Sequence, residues 1–196
     1  MITDPDGPVI PRGHVPEGGY LRAVGSAVNR MILSASGWRT IFAADGSQDS
    51  TTADVPAALL VAVGIAAECF ASTVSTDSRP RIVVGTDTRP TGPLIARAAI
   101  RAFVGTGADV EYVFVSASPE IMAYAMEPGF DGFFYVSASH NPVGHNGLKM
   151  GGADGGVIGG NVSAALIARF RESIADEESV TRVANLLRRP ADPTER

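Results

Sequence analysis

The sequence predicts an α/β domain in which helices cover both faces of a sheet, a three-layer α/β/α sandwich. Two observations carry this. Between residues 81 and 174, short runs rich in β-branched and aromatic residues alternate with segments whose apolar residues recur at helical spacing. Gly and Pro punctuate the switches from one period to the other. A third observation concerns function: the strand-like run ending at Val136 opens onto a loop crowded with polar side chains, and in α/β sheets ligands bind at strand ends.

Residues 1–19 carry four prolines and four glycines and read as an irregular arm. From Tyr20 to Leu33, the positions Leu21, Val24, Ala27, Val28, Met31 and Ile32 repeat at helical spacing, and Ser36-Gly37 ends that helix. Trp38 to Ala44 is a short strand-like run carrying Arg39, followed by a polar loop over 45–54. Asp54 is placed to cap a helix that has Pro56 in its first turn and runs to about Thr73. Arg81–Gly85 is a strand, 91–104 a helix closed by Gly105 and Gly107, and 109–115 a strand. A short helix follows over 119–126, then a strand over 130–136 and an amphipathic helix over 161–174. The charged segment from 176 to 196 forms a short helix through Leu187 and frays at Pro190 and Pro193, as a tail or linker. This divides the chain into an arm (1–19), a domain (20–175) and a tail (176–196).

The 196 residues are enough for one full core. A net charge of −5 with scattered basic residues gives no nucleic-acid footprint. The single cysteine, Cys69, excludes an internal disulfide and sits in an apolar helical run as a core residue. The start of the chain shows no basic-then-apolar leader pattern. The apolar run over 55–67 is too short to span a bilayer and reads as a buried helix, so a cytoplasmic protein with no membrane partner is expected.

Residues 137–149, SASHNPVGHNGLK, hold the chemistry. Pro142 disfavours helix at Asn141, so Ser139, His140 and Asn141 are displayed on a tight loop. Lys149 follows on a Gly-rich stretch, where Gly144 and Gly147 would let backbone approach an anion. A serine so placed can attack an acyl group or carry a phosphoryl group. The acyl reading lacks the G-x-S-x-G elbow, because Ser137 and Asn141 stand at the glycine positions. A lysine, an imidazole and backbone amides suit phosphate oxygens better. The stretch GGADGGVIGG (151–160) lacks dinucleotide-loop spacing and reads as a turn or small hairpin near this site. Asp87 and Arg89 read as a turn held by local hydrogen bonds, and His14 and His145 as surface residues.

Three segments in order resemble motifs of the α-D-phosphohexomutases, the family of phosphoglucomutase and phosphomannomutase. Ser36-Gly37-Trp38-Arg39 is similar to an N-terminal Ser-Gly-x-Arg motif, and VVGTDTRP (83–90) to a strand and turn with Asp-x-Arg. SASHNPVGHNGLK is similar to the phosphoserine loop, and Ser118-Pro119 to a Thr-Pro helix start. The resemblance covers about residues 34–175 and implies a mixed sheet of about four main strands. It also implies an intramolecular phosphotransferase that interconverts hexose 1-phosphate and hexose 6-phosphate through a phosphoserine and a bisphosphorylated sugar.

By the same resemblance, Ser139 is the phosphoserine beside His140, Lys149 assists proton transfer, and Arg39 lies near the transferring phosphate. Asn141 and Arg39 would contact substrate. Mg2+ would bind a phosphate oxygen on Ser139, with carboxylate ligands from another domain, and a hexose 1,6-bisphosphate would act as activator. The magnesium loop Asp-Gly-Asp-x-Asp-Arg, the sugar-reading Gly-Glu-x-Ser-Gly and the phosphate loop of the family's later domains do not occur in these residues. The expectation is therefore a first domain that contacts absent domains two to four and is inactive alone. The alternative is a stand-alone phospho-ligand-binding or regulatory domain without turnover.

Overall fold

The computed structural model describes residues 7–75 and 79–191. Twelve elements follow one another: α1 (Gly19–Val28), β1 (Ile32–Ser34), β2 (Gly37–Ile41), α2 (Ala57–Val74), β3 (Arg81–Thr86), α3 (Gly92–Gly105), β4 (Asp109–Val115), α4 (Ser118–Tyr124), β5 (Gly132–Val136), β6 (His145–Gly152), α5 (Gly160–Ala175) and α6 (Glu177–Arg188). The strands form one mixed sheet in the order β1-β2-β6-β5-β3-β4. β4, β3 and β5 run parallel, and β6, β2 and β1 are added antiparallel.

Alternation along β5 assigns the two faces. Phe134 and Val136 enter the main core, which also takes Trp38, Leu148, Met150 and the apolar sides of α1, α2, α3, α5 and α6. Phe133 and Tyr135 point the other way and pack with Val83, Phe130, Ile121 and Ala125 beneath α4. Among the described residues, the second helical layer is thus α4 alone. α2 is apolar on every side because other helices surround it: it is long and apolar enough to cross a membrane, yet two-thirds of it (67%) is buried inside the domain. Its one acidic residue, Glu68, takes a two-pronged ion pair from Arg182 of α6, at 2.6 and 2.8 Å.

The expected layers are present, with six strands where about four were expected. One extra strand comes from the end of the first predicted helix. α1 stops at Val28, and Ile32–Ser34 pairs with β2 instead, because Gly37 at φ 130° turns the chain back on itself. The other is β6, expected as a Gly-rich loop and found as a strand between β2 and β5. Its glycines are packing positions rather than an anion cradle. A Cβ on Gly147 would stand 2.6 Å from the Trp38 carbonyl and 2.9 Å from the Ser137 carbonyl, and one on Gly144 would strike the Ser47 carbonyl.

Residues 152–157 do make a small hairpin, closed by the Gly151–Val157 bridge. Gly152 pairs with Gly132 at the start of β5, however, so this turn lies at the opposite end of the strands from Ser139. Pro56, not Asp54, stands at the start of α2. The segment read as a charged tail begins with α6, whose Val180, Val183, Ala184 and Leu187 are buried in the main core. Val9 and Ile10 donate to the Leu187 carbonyl at 2.9 and 3.0 Å, which ties the described part of the N-terminal arm to the same helix.

Candidate active site at the strand ends

β5 ends at Val136, and its ladder continues one residue further: Ser137 N–H donates to the Gly147 carbonyl at 2.9 Å. Gly147 in turn pairs with Arg39. Ser137, Gly147 and Arg39 therefore form one row across three strands, and residues in such a row share a face. Lys149, two residues along β6 and opposite Tyr135, projects from that face as well. It runs beside Gly37, whose missing Cβ would lie 3.3 Å from Lys149 Cγ. His145, paired with Ile41, completes the set. The Ser-Gly-x-Arg segment and the lysine, far apart in sequence, thus meet because β6 is inserted between β2 and β5.

Ser139 stands on the loop two residues beyond this row. Its backbone is left-handed, at φ 55°, which costs a non-glycine residue on the order of 1 kcal/mol. Strain of this kind gathers at functional sites. Ser139 and His140 are both exposed. Ser137 is buried, and its hydroxyl accepts the Ser139 N–H at 3.1 Å. Of the two serines, only Ser139 therefore presents an exposed side chain. Asn141 is half-buried, with its amide donating to the Ala138 carbonyl at 3.0 Å, so it braces the turn. Asn146, fully buried, donates to Thr91 Oγ1 at 3.0 Å and accepts from Gly147 N–H at 2.9 Å, which locks the start of β6 to the start of α3.

Two residues read as incidental in the sequence enter the site. His145 is half-buried, and burial, reinforced by the charges of Arg89 and Arg39, pushes its pKa below the ordinary 6.5. Only the pairing of β2 with β6 reveals this placement. Arg89 keeps the expected local bonds to Asp87 and also reaches across to the loop, donating to the carbonyls of Ser139, Asn141, Pro142 and His145. His14 lies away from the site, where its carbonyl accepts from the Tyr20 hydroxyl at 2.9 Å.

Magnesium has no ready cage in this set. Among the described residues no group of three or more His, Cys, Asp or Glu is arranged to hold a metal ion. The loop offers a hydroxyl and an amide, and the nearby Asp87 carboxylate is engaged by Arg89. Mg2+ takes near-octahedral oxygen ligands that usually include carboxylates, so these residues do not fit it unaided.

Residues 31–177 match the family described as phosphoglucomutase/phosphomannomutase, alpha/beta/alpha domain I. The chain belongs to this family. Over 156 residues it is 31% identical to a phosphoglucosamine mutase of Sphingopyxis alaskensis, covering 80% of this chain and 32% of that protein. It is 40% identical over 77 residues to the phosphoglucosamine mutase of Staphylococcus haemolyticus, covering 39% of this chain and 17% of that one. The matches thus span about a third or less of these relatives. A crystal structure of a phosphoglucomutase/phosphomannomutase family protein from Burkholderia thailandensis superposes with a TM-score of 0.54 at 24% identity, over 72% of this chain and 30% of that one, and so shares the fold.

Proposed function

We infer that this chain is the phosphoserine-bearing part of a hexose phosphomutase. The observation that carries the reading is Ser139, exposed at φ 55° beside the face of Arg39 and Lys149, in a chain of this family. Ser139 Oγ holds a phosphoryl group. A hydroxyl of a sugar monophosphate attacks the phosphorus, the bond to Oγ breaks, and the hydroxyl's proton passes on with the help of Lys149 and His140. The bisphosphorylated sugar reorients, and Oγ, giving up its proton, attacks the phosphorus at the other end. The bond from that phosphorus to the sugar oxygen breaks and the oxygen takes up a proton, which restores the phosphoserine and leaves the isomeric monophosphate. Phosphoryl transfer depends mainly on positioning and charge neutralisation, which Arg39 and Lys149 supply. Mg2+ would neutralise a phosphate oxygen when held by carboxylates from outside these residues.

The relatives' names make a hexosamine phosphate the first substrate to test, ahead of glucose and mannose phosphates. A hexose 1,6-bisphosphate is the expected activator, and the cytoplasm the expected compartment. Contacts with further domains of a longer protein would close the site, exclude water and grip the distal phosphate. Without them, residues 1–196 lose the orientation that contributes several kcal/mol, on the order of 7 or more, to enzyme catalysis.

A coupled assay of purified residues 1–196 with hexose 1-phosphate, Mg2+ and hexose 1,6-bisphosphate tests this. No measurable turnover is expected. Turnover of roughly one per second or more, abolished by Ser139→Ala, would show that the domain is a complete enzyme. Sugar-phosphate binding by the native protein with no phosphate ever found on Ser139 would favour a binding module instead.

A further inference from the structure

Asp87 N–H donates to the Val136 carbonyl at 3.0 Å, so the turn leaving β3 is joined to the end of β5. The Asp87 carboxylate then accepts from Arg89 twice, from N–H at 3.0 Å and from Nε at 3.1 Å. This aims the guanidinium under the Ser139 loop. One terminal nitrogen donates to the carbonyls of Pro142 and His145, at 2.5 and 3.1 Å. The other donates to those of Ser139 and Asn141, at 3.0 and 2.6 Å. Every N–H of the guanidinium is therefore used, each on its own acceptor. The side chain is only 10% exposed, and Asp87 is its ion-pair partner.

The carbonyls of Ser139, Asn141, Pro142 and His145 converge on this one cation. Without it, four dipoles would point their negative ends at one another, and the loop would relax to separate them. The loop's other ties run from Ser139 N–H to Ser137 Oγ, from the Asn141 N–H and side-chain amide to the Ala138 carbonyl, from His145 N–H to the Pro142 carbonyl, from Gly144 N–H to the Gln48 carbonyl, and from the Phe42 and Ala43 N–H groups to the Gly144 carbonyl. None of them holds the Ser139 carbonyl. Arg89 does, and so opposes the return of Ser139 from φ 55° to an ordinary backbone conformation.

We propose that Arg89 is a positioning residue for Ser139, holding the loop in the conformation from which the serine takes and gives a phosphoryl group. This rests on the reading of Ser139 as the phosphoryl carrier. Lysine cannot take the place of Arg89, because an ammonium is a compact point charge with fewer donors and no fork.

The test uses the 196-residue chain as wild type, Arg89→Ala and Arg89→Lys. Amide hydrogen exchange, read by mass spectrometry, reports the loop (138–146) and the α3 core (92–105) separately. Exchange in the loop should rise about ten-fold or more in both variants while α3 is unchanged, since local opening is independent of global unfolding. Methylguanidinium should restore loop protection in Arg89→Ala. Wild-type protection in Arg89→Lys, or an equal rise in loop and core, would overturn the proposal. If Arg89→Ala unfolds, circular dichroism shows it and Arg89→Lys decides; global unfolding of both would overturn a local clamp.

In a second arm, the same substitutions are made in the native protein, which meets glucose 1,6-bisphosphate and Mg2+, and label on Ser139 is followed over a single turnover. Transfer should slow on the order of a hundred-fold in both variants, with the half-saturating bisphosphate concentration unchanged. Transfer at the wild-type rate in either variant would overturn the proposal. A wild-type native protein that takes no label would instead count against the phosphoserine reading, and the exchange arm would still decide whether Arg89 clamps the loop.

Discussion

Gly147 is a position where the architecture of the site leaves no room for a side chain. It lies between Arg39 on β2 and Ser137 at the end of β5, and a Cβ there would stand 2.6 Å from the Trp38 carbonyl, 2.9 Å from the Ser137 carbonyl and 3.4 Å from Arg39 Cβ. Two of these atoms are backbone oxygens of the ladder and cannot rotate away, so Gly147→Ala must spread the strands. Overpacking of a well-ordered interior costs about 1–3 kcal/mol, and rigid neighbours put this site at about 2–3. The melting temperature should fall by roughly 4–12 °C, at about 2–4 °C per kcal/mol for a chain of this size. The assay is urea unfolding followed by fluorescence of the single tryptophan, Trp38, which is 2% exposed on the neighbouring strand. Gly25→Ala is the control. It lies within α1 with nothing within 4 Å of the added methyl, and should stabilise by about 0.5–1 kcal/mol. Gly147→Ala within about 0.5 kcal/mol of wild type would refute the packing argument.

Ser139→Gly should be more stable than Ser139→Ala by about 1 kcal/mol, because glycine alone accepts the left-handed backbone without cost; equal urea midpoints would contradict this. His145 has a folded-state pKa below its ordinary value, so the unfolded chain binds the proton first. Its presence lowers stability as pH falls from about 6.5 towards the folded pKa, with no effect above. Relative to wild type, His145→Gln should therefore gain stability on going from neutral to mildly acidic pH, and a difference that is flat with pH would count against the placement of His145. Cys69 is buried with its thiol pKa raised by burial, so a thiol reagent at neutral pH should label it only after denaturant unfolds the domain.

How much of this was legible in the sequence depends on where each residue's partners lie. β3, α3, β4 and β5 carry their own periodicity, and their order alone implies the layers. β6 was not legible because glycine has low strand preference. Gly147 and Gly151 belong to a strand only because neighbouring strands come too close for a side chain, a fact about β2 and β5 rather than about residues 145–152. The last turn predicted for the first helix, Ile32 and Leu33, fits a helical period equally well, and pairing with β2 decides against it. At the site, Ser139, His140 and Asn141 were readable because Pro142 fixes their turn locally. Arg89 was readable only as far as Asp87, two residues away; its four remaining acceptors lie fifty or more residues on. His145 shows the same limit, since Ile41 and Arg39 reach it only across the sheet.

The central claim is that Ser139 carries the phosphoryl group. The most direct measurement is mass spectrometry of peptides spanning residues 137–149 from the native protein after exposure to a hexose 1,6-bisphosphate and Mg2+. The account predicts one added phosphoryl group, located on Ser139 and lost in Ser139→Ala. Phosphate on Ser137, or undiminished labelling in Ser139→Ala, would contradict it.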